Sequence, residues 1–381
     1  SIVNTYYTHT RFKGDNNVGT GALGLAQGDA DNSANITTGL LPNYLSVSGK
    51  TRQNDIDVGF TISIQPGSST TTSGNQGGFS SNQTNQENRQ AFLTFGDKSW
   101  GSIKLGKDLG IYASDAILND MTLLGVGGGA GSLAGNTTTL GRIGSGFMYA
   151  DWKSQVAYSS PNWNGFSFTV GLTQAWDAST SAPTANNPNA FSNSRAGGST
   201  AYEGKASYEW TGDVAGKVWA SAITQKVDNI LDATSASGTS DDRATAWDIG
   251  ANVNVAGFGL TGYYGEGKGI GQTFQLLNGF DTNGKRRDSD QWYLQGTYTI
   301  PGVGTKLGVS YGESTLDGNS GEVFNEIEDS MWTVGAYHPL TKHLNLVAEY
   351  SQTERDVSSS VVGFDGKAEA KTVSLGAILF F

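Results

Sequence analysis

The sequence contains no cysteine and only 7 prolines among 381 residues. Without cysteine the chain has no disulfide framework and no thiolate for metal binding or nucleophilic chemistry. The three histidines, His9, His338 and His343, are too scattered along the chain to predict a metal site. We therefore expect neither a metal nor any other cofactor.

Charge is also scarce, and it is mostly negative. Charged residues make up 15% of the chain, compared with about 25% in average soluble domains. The formal net charge of −11 argues against a nucleic-acid partner. No Ser/His/Asp or paired-acid arrangement stands out, so we predict that the chain is not an enzyme.

Long apolar runs are missing as well. No run approaches the ~18 residues that a membrane-spanning helix needs, and the mean hydropathy of −0.33 is that of a water-soluble chain. A membrane β-barrel is compatible with both observations, the absence of long apolar runs and the low mean hydropathy, because only alternate residues of its strands face lipid. The chain opens on Ser1 without a basic and apolar leader, and we expect that a secretory signal has been removed.

Apolar and small polar residues alternate with a period of two, which predicts β-strands. The clearest case is the segment 166–173, in which Phe166, Phe168, Val170 and Leu172 alternate with Ser, Thr and Gly. The same pattern recurs at 202–210, 291–300, 306–312 and 344–350.

The connections between these strands alternate between short and long. Short turns are predicted at 97–101, 162–165, 212–216, 256–259, 301–304 and 341–343. Eight long polar segments separate them, at 14–39, 67–88, 108–145, 177–200, 231–242, 271–290, 316–330 and 356–367. This alternation predicts an all-β fold, a transmembrane antiparallel β-barrel of about 16 strands. We expect residues 1–381 to form this single domain.

The third long segment, residues 108–145, is rich in glycine and small residues. A connection of that length without structure of its own is uncommon in a compact domain unless it has a function. We predict that this third loop folds into the lumen of the barrel and narrows it.

The tryptophans fall into two groups along the chain. Trp100, Trp163 and Trp210 lie near short turns, whereas four others lie near long loops, namely Trp176, Trp247, Trp292 and Trp332. Aromatic side chains favour the two membrane–water interfaces, so we expect two aromatic girdles.

Four segments resemble the general porins of Gram-negative outer membranes. The last strand alternates Val373, Leu375, Ala377 and Leu379 and stops on Phe381, which is similar to the outer-membrane assembly signal of those porins. Segments 89–96 and 100–107 resemble their fourth and fifth strands, and segment 158–168 resembles the hairpin that follows their constriction loop.

The resemblance implies a bacterial outer-membrane protein that forms a water-filled channel for passive diffusion of small hydrophilic solutes and ions. It also implies a homotrimer in contact with outer-membrane lipid and lipopolysaccharide. Lys285–Arg287 are candidates for lipopolysaccharide phosphates, and four acidic residues are candidates for bridging divalent cations, namely Glu322, Glu326, Glu328 and Asp329.

The resemblance further implies that acidic residues of the inward loop face basic residues of the wall and set the pore constriction. On the loop the acidic candidates are Asp115 and Asp120, with Asp108 at its root. The basic candidates are Lys104 and Lys107 on the strand before the loop, and Arg142 and Lys153 beside the strand after it.

Two other functions stay open at this point. One is a substrate-selective outer-membrane channel for sugars or small organic acids. The other is a secreted all-β adhesin or glycan-binding module, which would seal its apolar face into a dry core. The sequence leaves the preferred ion or solute, the pore radius and the gating undetermined.

Overall fold

The computed structural model describes residues 1–15, 18, 21–25, 31–69, 86–132, 138–184, 187–194, 199–231 and 239–381. The described part contains one short α-helix, α1 (Ser114–Leu118), and one 3-10 helix, Met121–Leu124. Its strands are β1 (Ile2–Gly14), β2 (Asn32–Thr37), β3 (Leu45–Gln53), β4 (Ile56–Pro66), β5 (Gln86–Glu87), β6 (Ala91–Asp97), β7 (Gly101–Leu109), β8 (Gly128–Ser132), β9 (Thr139–Gly141), β10 (Trp152–Ser159), β11 (Phe166–Thr173), β12 (Ala178–Thr184), β13 (Asn187–Ser194), β14 (Ala201–Trp210), β15 (Val214–Leu231), β16 (Thr239–Val255), β17 (Phe258–Lys268), β18 (Asp288–Thr299), β19 (Lys306–Asp317), β20 (Glu326–Pro339), β21 (Leu344–Ser358) and β22 (Gly366–Phe380). Within the described ranges, no helix is long and apolar enough to cross a membrane.

Eighteen of these strands form one antiparallel sheet that closes on itself. The first strand pairs with the last over the whole length of β1, from Ile2 opposite Phe380 to Gly14 opposite Ala368. Two wall strands are interrupted: β2 and β3 are parts of one strand, which returns to β1 at the Ile2–Tyr44 bridge, and β5 and β6 are parts of another. The result is a barrel of sixteen strands, which confirms the predicted fold.

The outer face of the barrel is apolar. On β11, Val170 and Leu172 are 48% and 41% exposed, whereas Thr173 on the opposite face is 1% exposed. The aromatic pairs Trp292–Tyr311 and Trp332–Tyr350 lie toward the long loops, and the pair Tyr208–Trp210 lies beside a short turn. Apolar side chains that face outward between aromatic girdles are typical of a barrel surrounded by lipid and not of a secreted module with a sealed core.

The structure adds one short turn that the sequence pattern did not indicate. It joins β3 to β4 at Asn54 and Asp55, whose φ angles are 50° and 60°. Two successive residues with positive φ match the type I′ hairpin turn, in which Asn and Asp are tolerated. The turn was missed because the pair contains neither glycine nor proline.

Three predicted long loops differ in detail. Segment 177–200 contains the hairpin of β12 and β13, while residues 185–186 and 195–198 within it lie outside the described residues. The strands β15 and β16, which flank the fifth loop, have 18 and 17 residues, more than the ~9–11 that a tilted strand needs to cross a membrane. Residues 70–85 of the second loop and 232–238 of the fifth also lie outside the described ranges.

The segment between β7 and β10, residues 110–151, is called the crossing loop below. It runs inside the barrel, and most of its described residues are buried. Leu140, Ile143 and Phe147 are at most 1% exposed and belong to one apolar cluster with the inward wall residues Tyr263 and Tyr293. The predicted inward loop is thus confirmed, but it extends to residue 151 rather than 145, and part of the lumen is packed rather than filled with water.

Candidate functional site

The crossing loop is first anchored to the wall where it enters the lumen. Tyr112 N donates to Glu203 Oε1 at 2.9 Å, and Ala113 N donates to Ser221 Oγ at 3.0 Å. The Glu203 carboxylate is buried and also accepts from Lys153 Nζ at 3.2 Å and from the hydroxyl of Thr173. A buried carboxylate is tolerated only when such partners satisfy its hydrogen-bonding capacity. This cluster therefore attaches the start of the crossing loop to the wall.

A second anchor holds the middle of the loop against the opposite wall. Glu349 Oε1 accepts from Val126 N at 2.6 Å and from Gly127 N at 3.0 Å, and Oε2 accepts from Tyr337 Oη at 2.5 Å. A Cβ atom at Gly125 would lie 2.3 Å from the Glu349 carboxylate. Glycine is therefore needed for the backbone to approach this acid.

Helix α1 is fastened to the wall through Asp115. Its Oδ1 lies 2.7 Å from Lys217 Nζ, and its Oδ2 lies 3.5 Å from Lys205 Nζ. Lys205 also donates to Ser114 Oγ at 2.9 Å. The Asp115 carboxylate is buried while both lysines stay partly exposed, so Asp115 faces the wall and neutralises part of its positive charge.

Asp120 holds the loop together internally, and the Arg142 side chain binds the loop to the wall. Asp120 accepts from Thr122 N at 2.9 Å and from Arg142 N at 3.3 Å. The Arg142 guanidinium is fully buried and donates to Met331 O at 2.7 Å and to Ser310 Oγ at 2.5 Å. Burial raises the pKa of the Asp120 carboxyl and lowers the pKa of the Arg142 guanidinium.

The remaining predicted site residues lie on both faces of the wall. Lys104 and Asp108 share the inward face of β7 and form an ion pair, with the Lys104 ammonium 4.7 Å from the centre of the Phe92 ring. Lys153 is fully buried and donates to Gln275 Oε1 at 2.7 Å.

Lys107 lies on the other face of the same strand. Leu105, two residues before Lys107, faces outward beside Leu93 and Val156. Lys107 therefore faces outward too, opposite Ala91 and Ser154 of the neighbouring strands. Its Nζ donates to Asn88 O at 2.9 Å. Lys104 and Lys107 are three residues apart, and a period of two puts them on opposite faces. Lys107 is thus not brought together with the other candidates.

The surface that the loop turns toward the open part of the lumen is apolar. Leu118 at the end of α1 is 56% exposed. It lines a cavity of about 250 Å³ between the loop and the wall, together with Ile117, Leu123, Gln65, Gln90 and Arg89. The acidic loop residues predicted to face the passage are instead buried in contacts with the wall or within the loop.

Water-accessible charge on the inner wall is mainly positive. Along the described strands, the inward residues between the crossing loop and the short turns include five accessible lysines and one accessible glutamate, Glu209. The lysines are Lys50, Lys104, Lys205, Lys217 and Lys306. An Arg52–Asp57 ion pair at the rim adds one charge of each sign.

Acidic residues are concentrated elsewhere. The outward face of β17–β22 carries, near the long loops, Glu266, Asp290, Glu313, Glu328, Glu354 and Glu369. The net charge of −11 is therefore not the charge that a solute meets inside the barrel.

Alternation along the strands could have identified these lysines, since a period of two puts Lys205 on the face opposite Tyr202 and Tyr208. Glu203 and Glu349 were missed because their partners are backbone groups of a distant loop. Three residues considered for external ligands are engaged internally: Arg287 Nη2 lies 2.5 Å from Glu322 Oε1, and Asp329 Oδ1 lies 2.7 Å from Arg355 Nε. In the part of the chain that the structure describes, no group of three or more His, Asp or Glu residues could hold a metal ion.

Comparison with known proteins agrees with this geometry. A family model described as "Gram-negative porin" matches residues 10–358. No curated protein sequence matches the chain.

Several solved structures share the fold. The outer membrane channel DcaP of Acinetobacter baumannii is similar with a TM-score of 0.69 and 16% identity, covering 100% of this chain and 95% of that one. An anion-selective porin from Comamonas acidovorans has a TM-score of 0.57 and 15% identity, covering 100% and 99%. The trimer form of OmpT, an outer membrane protein of Vibrio cholerae, has a TM-score of 0.51 and 12% identity, covering 99% of each chain.

Proposed function

Because the chain belongs to the Gram-negative porin family, we propose that its barrel conducts small hydrophilic solutes and ions passively and prefers anions. The protein is an integral β-barrel of the outer membrane, and we propose that it acts as a channel and not as an enzyme. Neither the preference for anions nor the constriction is part of that family assignment, and both rest on the lumen described above.

The observation that carries the anion preference is the excess of lysine on the accessible inner wall. Among the described residues, five accessible lysines of the inner wall stand against the accessible acids Glu209 and Asp57, and Asp57 pairs with Arg52. Asp108 pairs with Lys104. A narrow channel with low-dielectric walls strengthens the field of such fixed charges and raises the local concentration of counter-ions. Anions should therefore enter more readily than cations.

We assign the constriction to the crossing loop and the wall that it faces. The Lys104–Asp108 pair stands on the wall beside the passage, and Asp115 between Lys205 and Lys217 holds the far side of the loop. Opposed fixed charges orient polar solutes as they pass. Asp120, Arg142 and Lys153 hold the crossing loop in position. Lys107 is not part of the proposed constriction.

The test is the reversal potential of single channels in planar bilayers under a KCl gradient. The sign of the wild-type reversal potential should show that chloride permeates more readily than potassium. Lys104→Gln removes an inward charge and should lower the chloride preference. Lys107→Gln removes the same charge from the outward face of the same strand and should leave the potential unchanged.

Cation preference in the wild-type channel would contradict the proposed selectivity. Equal effects of the two substitutions would contradict the assignment of Lys104 to the lumen. A protein that forms no channels in bilayers would contradict the proposed function as a whole.

We also propose a homotrimer, since the similar OmpT structure is a trimer form. Native mass spectrometry of the detergent-solubilised protein would give three times the monomer mass. Lipopolysaccharide is proposed to contact the long-loop end of the barrel, where Lys285 is exposed and Arg286 partly exposed in the loop between β17 and β18.

A further inference from the structure

The cavity between the crossing loop and the wall combines two unlike surfaces. Leu118, Ile117 and Leu123 of the loop form an apolar ledge, and Gln65, Gln90 and Arg89 of the wall lie across from it. Leu118 is 56% exposed inside the barrel, and a ligand that covers it is stabilised because apolar surface is removed from water. The ledge therefore favours a solute with an apolar part.

Arg89 places a positively charged group on the wall side of the cavity. Its side chain is nearly buried, and its Nε donates to Glu87 Oε2 at 2.7 Å while the guanidinium lies 5.5 Å from the centre of the Trp152 ring. Its Nη2 has no hydrogen-bond acceptor among the described residues. The guanidinium as a whole forms an ion pair with Glu87, but a buried donor atom without an acceptor is costly, so a ligand oxygen that reaches Nη2 from the cavity would be stabilised there.

The neighbouring polar groups are already engaged with one another. Tyr44 Oη donates to Gln90 Oε1 at 2.7 Å, Gln90 Nε2 donates to Asp108 Oδ1 at 3.0 Å, and Gln65 Oε1 accepts from Arg89 N at 2.9 Å. Arg89 is thus the wall group of this set with donor capacity left for a ligand. Because it is a cation, a carboxylate is the partner that it binds best.

Size restricts the apolar part. The cavity measures about 250 Å³, and an apolar cavity of about 150 Å³ suffices for one benzene ring. We propose that this cavity is a binding site within the passage for a small carboxylate that carries one apolar ring or branched chain. This inference rests on the proposed channel function and adds a solute class to it.

The probe is benzoate, measured as a concentration-dependent reduction of the chloride current through single channels. Acetate has the carboxylate without the ring, and benzyl alcohol has the ring without the charge. Benzoate should reduce the current at a concentration at least about tenfold lower than either, because a hydrogen bond to a charged group and apolar burial both contribute. Equal potency of benzoate and acetate, or of benzoate and benzyl alcohol, would overturn the proposal.

Two variants locate the site. Leu118→Ser should raise the half-blocking benzoate concentration severalfold, and Arg89→Gln should raise it about tenfold. Leu340→Ser, at an equally exposed leucine beside a short turn, should leave it unchanged. Since Leu118 is exposed, its variant keeps the test valid if Arg89→Gln misfolds.

The outcomes separate this inference from the channel itself. A protein that conducts chloride without benzoate but shows no effect of Leu118→Ser on block would overturn the binding site alone. A protein that does not conduct at all would overturn the channel function on which the site depends.

Discussion

Asp115 illustrates how a single residue can be acidic, belong to the inward loop and still not line the passage. Its carboxylate is buried between Lys205 and Lys217. The likeness to porins indicates an acidic loop that faces a basic wall, and this protein brings the two into direct contact. The lumen then keeps the positive charge of the lysines that have no such partner.

We expect Asp115→Asn to release both lysines and loosen helix α1. The wall would gain free positive charge, so the chloride preference should increase, and the channel current should become noisier because the loop has lost an attachment. Reversal potential and current variance in planar bilayers measure the two effects. Glu354→Gln, which removes a negative charge from the outward face, is the control and should leave the reversal potential unchanged. A lower chloride preference in Asp115→Asn would contradict the role of Asp115 in neutralising Lys205 and Lys217.

At the scale of elements, the crossing loop is held mainly through its backbone. Buried wall carboxylates at Glu203 and Glu349 accept loop N–H groups, while apolar side chains such as Phe147 fill the space between loop and wall. Backbone groups that enter a lumen away from bulk water need such acceptors. The wall acids therefore determine where the loop crosses.

Glu349→Ala should detach the middle of the loop without unfolding the barrel. Removing the carboxylate leaves two loop N–H groups without acceptors, at a cost of about 1–3 kcal/mol each. We expect faster hydrogen exchange around residues 125–128, measured by mass spectrometry, with unchanged protection of β20–β22. Ser351→Ala, which removes a buried hydroxyl on the same face bonded to Thr333, is the control. Unchanged hydrogen exchange at residues 125–128 would contradict the role of Glu349 in holding the middle of the loop.

On the scale of the whole molecule, the barrel separates its charges. The net charge is −11, yet the accessible inner wall is lysine-rich and the acids near the long loops face outward. A closed sheet makes this possible because successive residues face lipid or lumen in alternation.

This separation predicts a strong dependence of selectivity on salt. The Debye length falls from ~10 Å at 0.1 M to ~3 Å at 1 M, so wall lysines should influence ions across the lumen only at low salt. The chloride preference should be larger near 0.1 M than near 1 M KCl. Glu354→Gln, on the outward face, should not change it. A preference independent of salt would point to size rather than charge.

Alternating residues and connection lengths alone determined the class of fold, the approximate number of strands, the aromatic girdles and the existence of an inward loop. These features depend on local periodicity and on the lipid that surrounds the barrel. The same periodicity places Lys107 on the outward face.

Only the tertiary structure decided what the loop touches. Asp115 and Glu349 gain their roles from partners about 90 to 220 residues away, and Arg89 gains its role from a cavity that no single segment forms. Such contacts depend on how sixteen strands close and where a folded loop crosses them, and neither leaves a periodic trace in the chain.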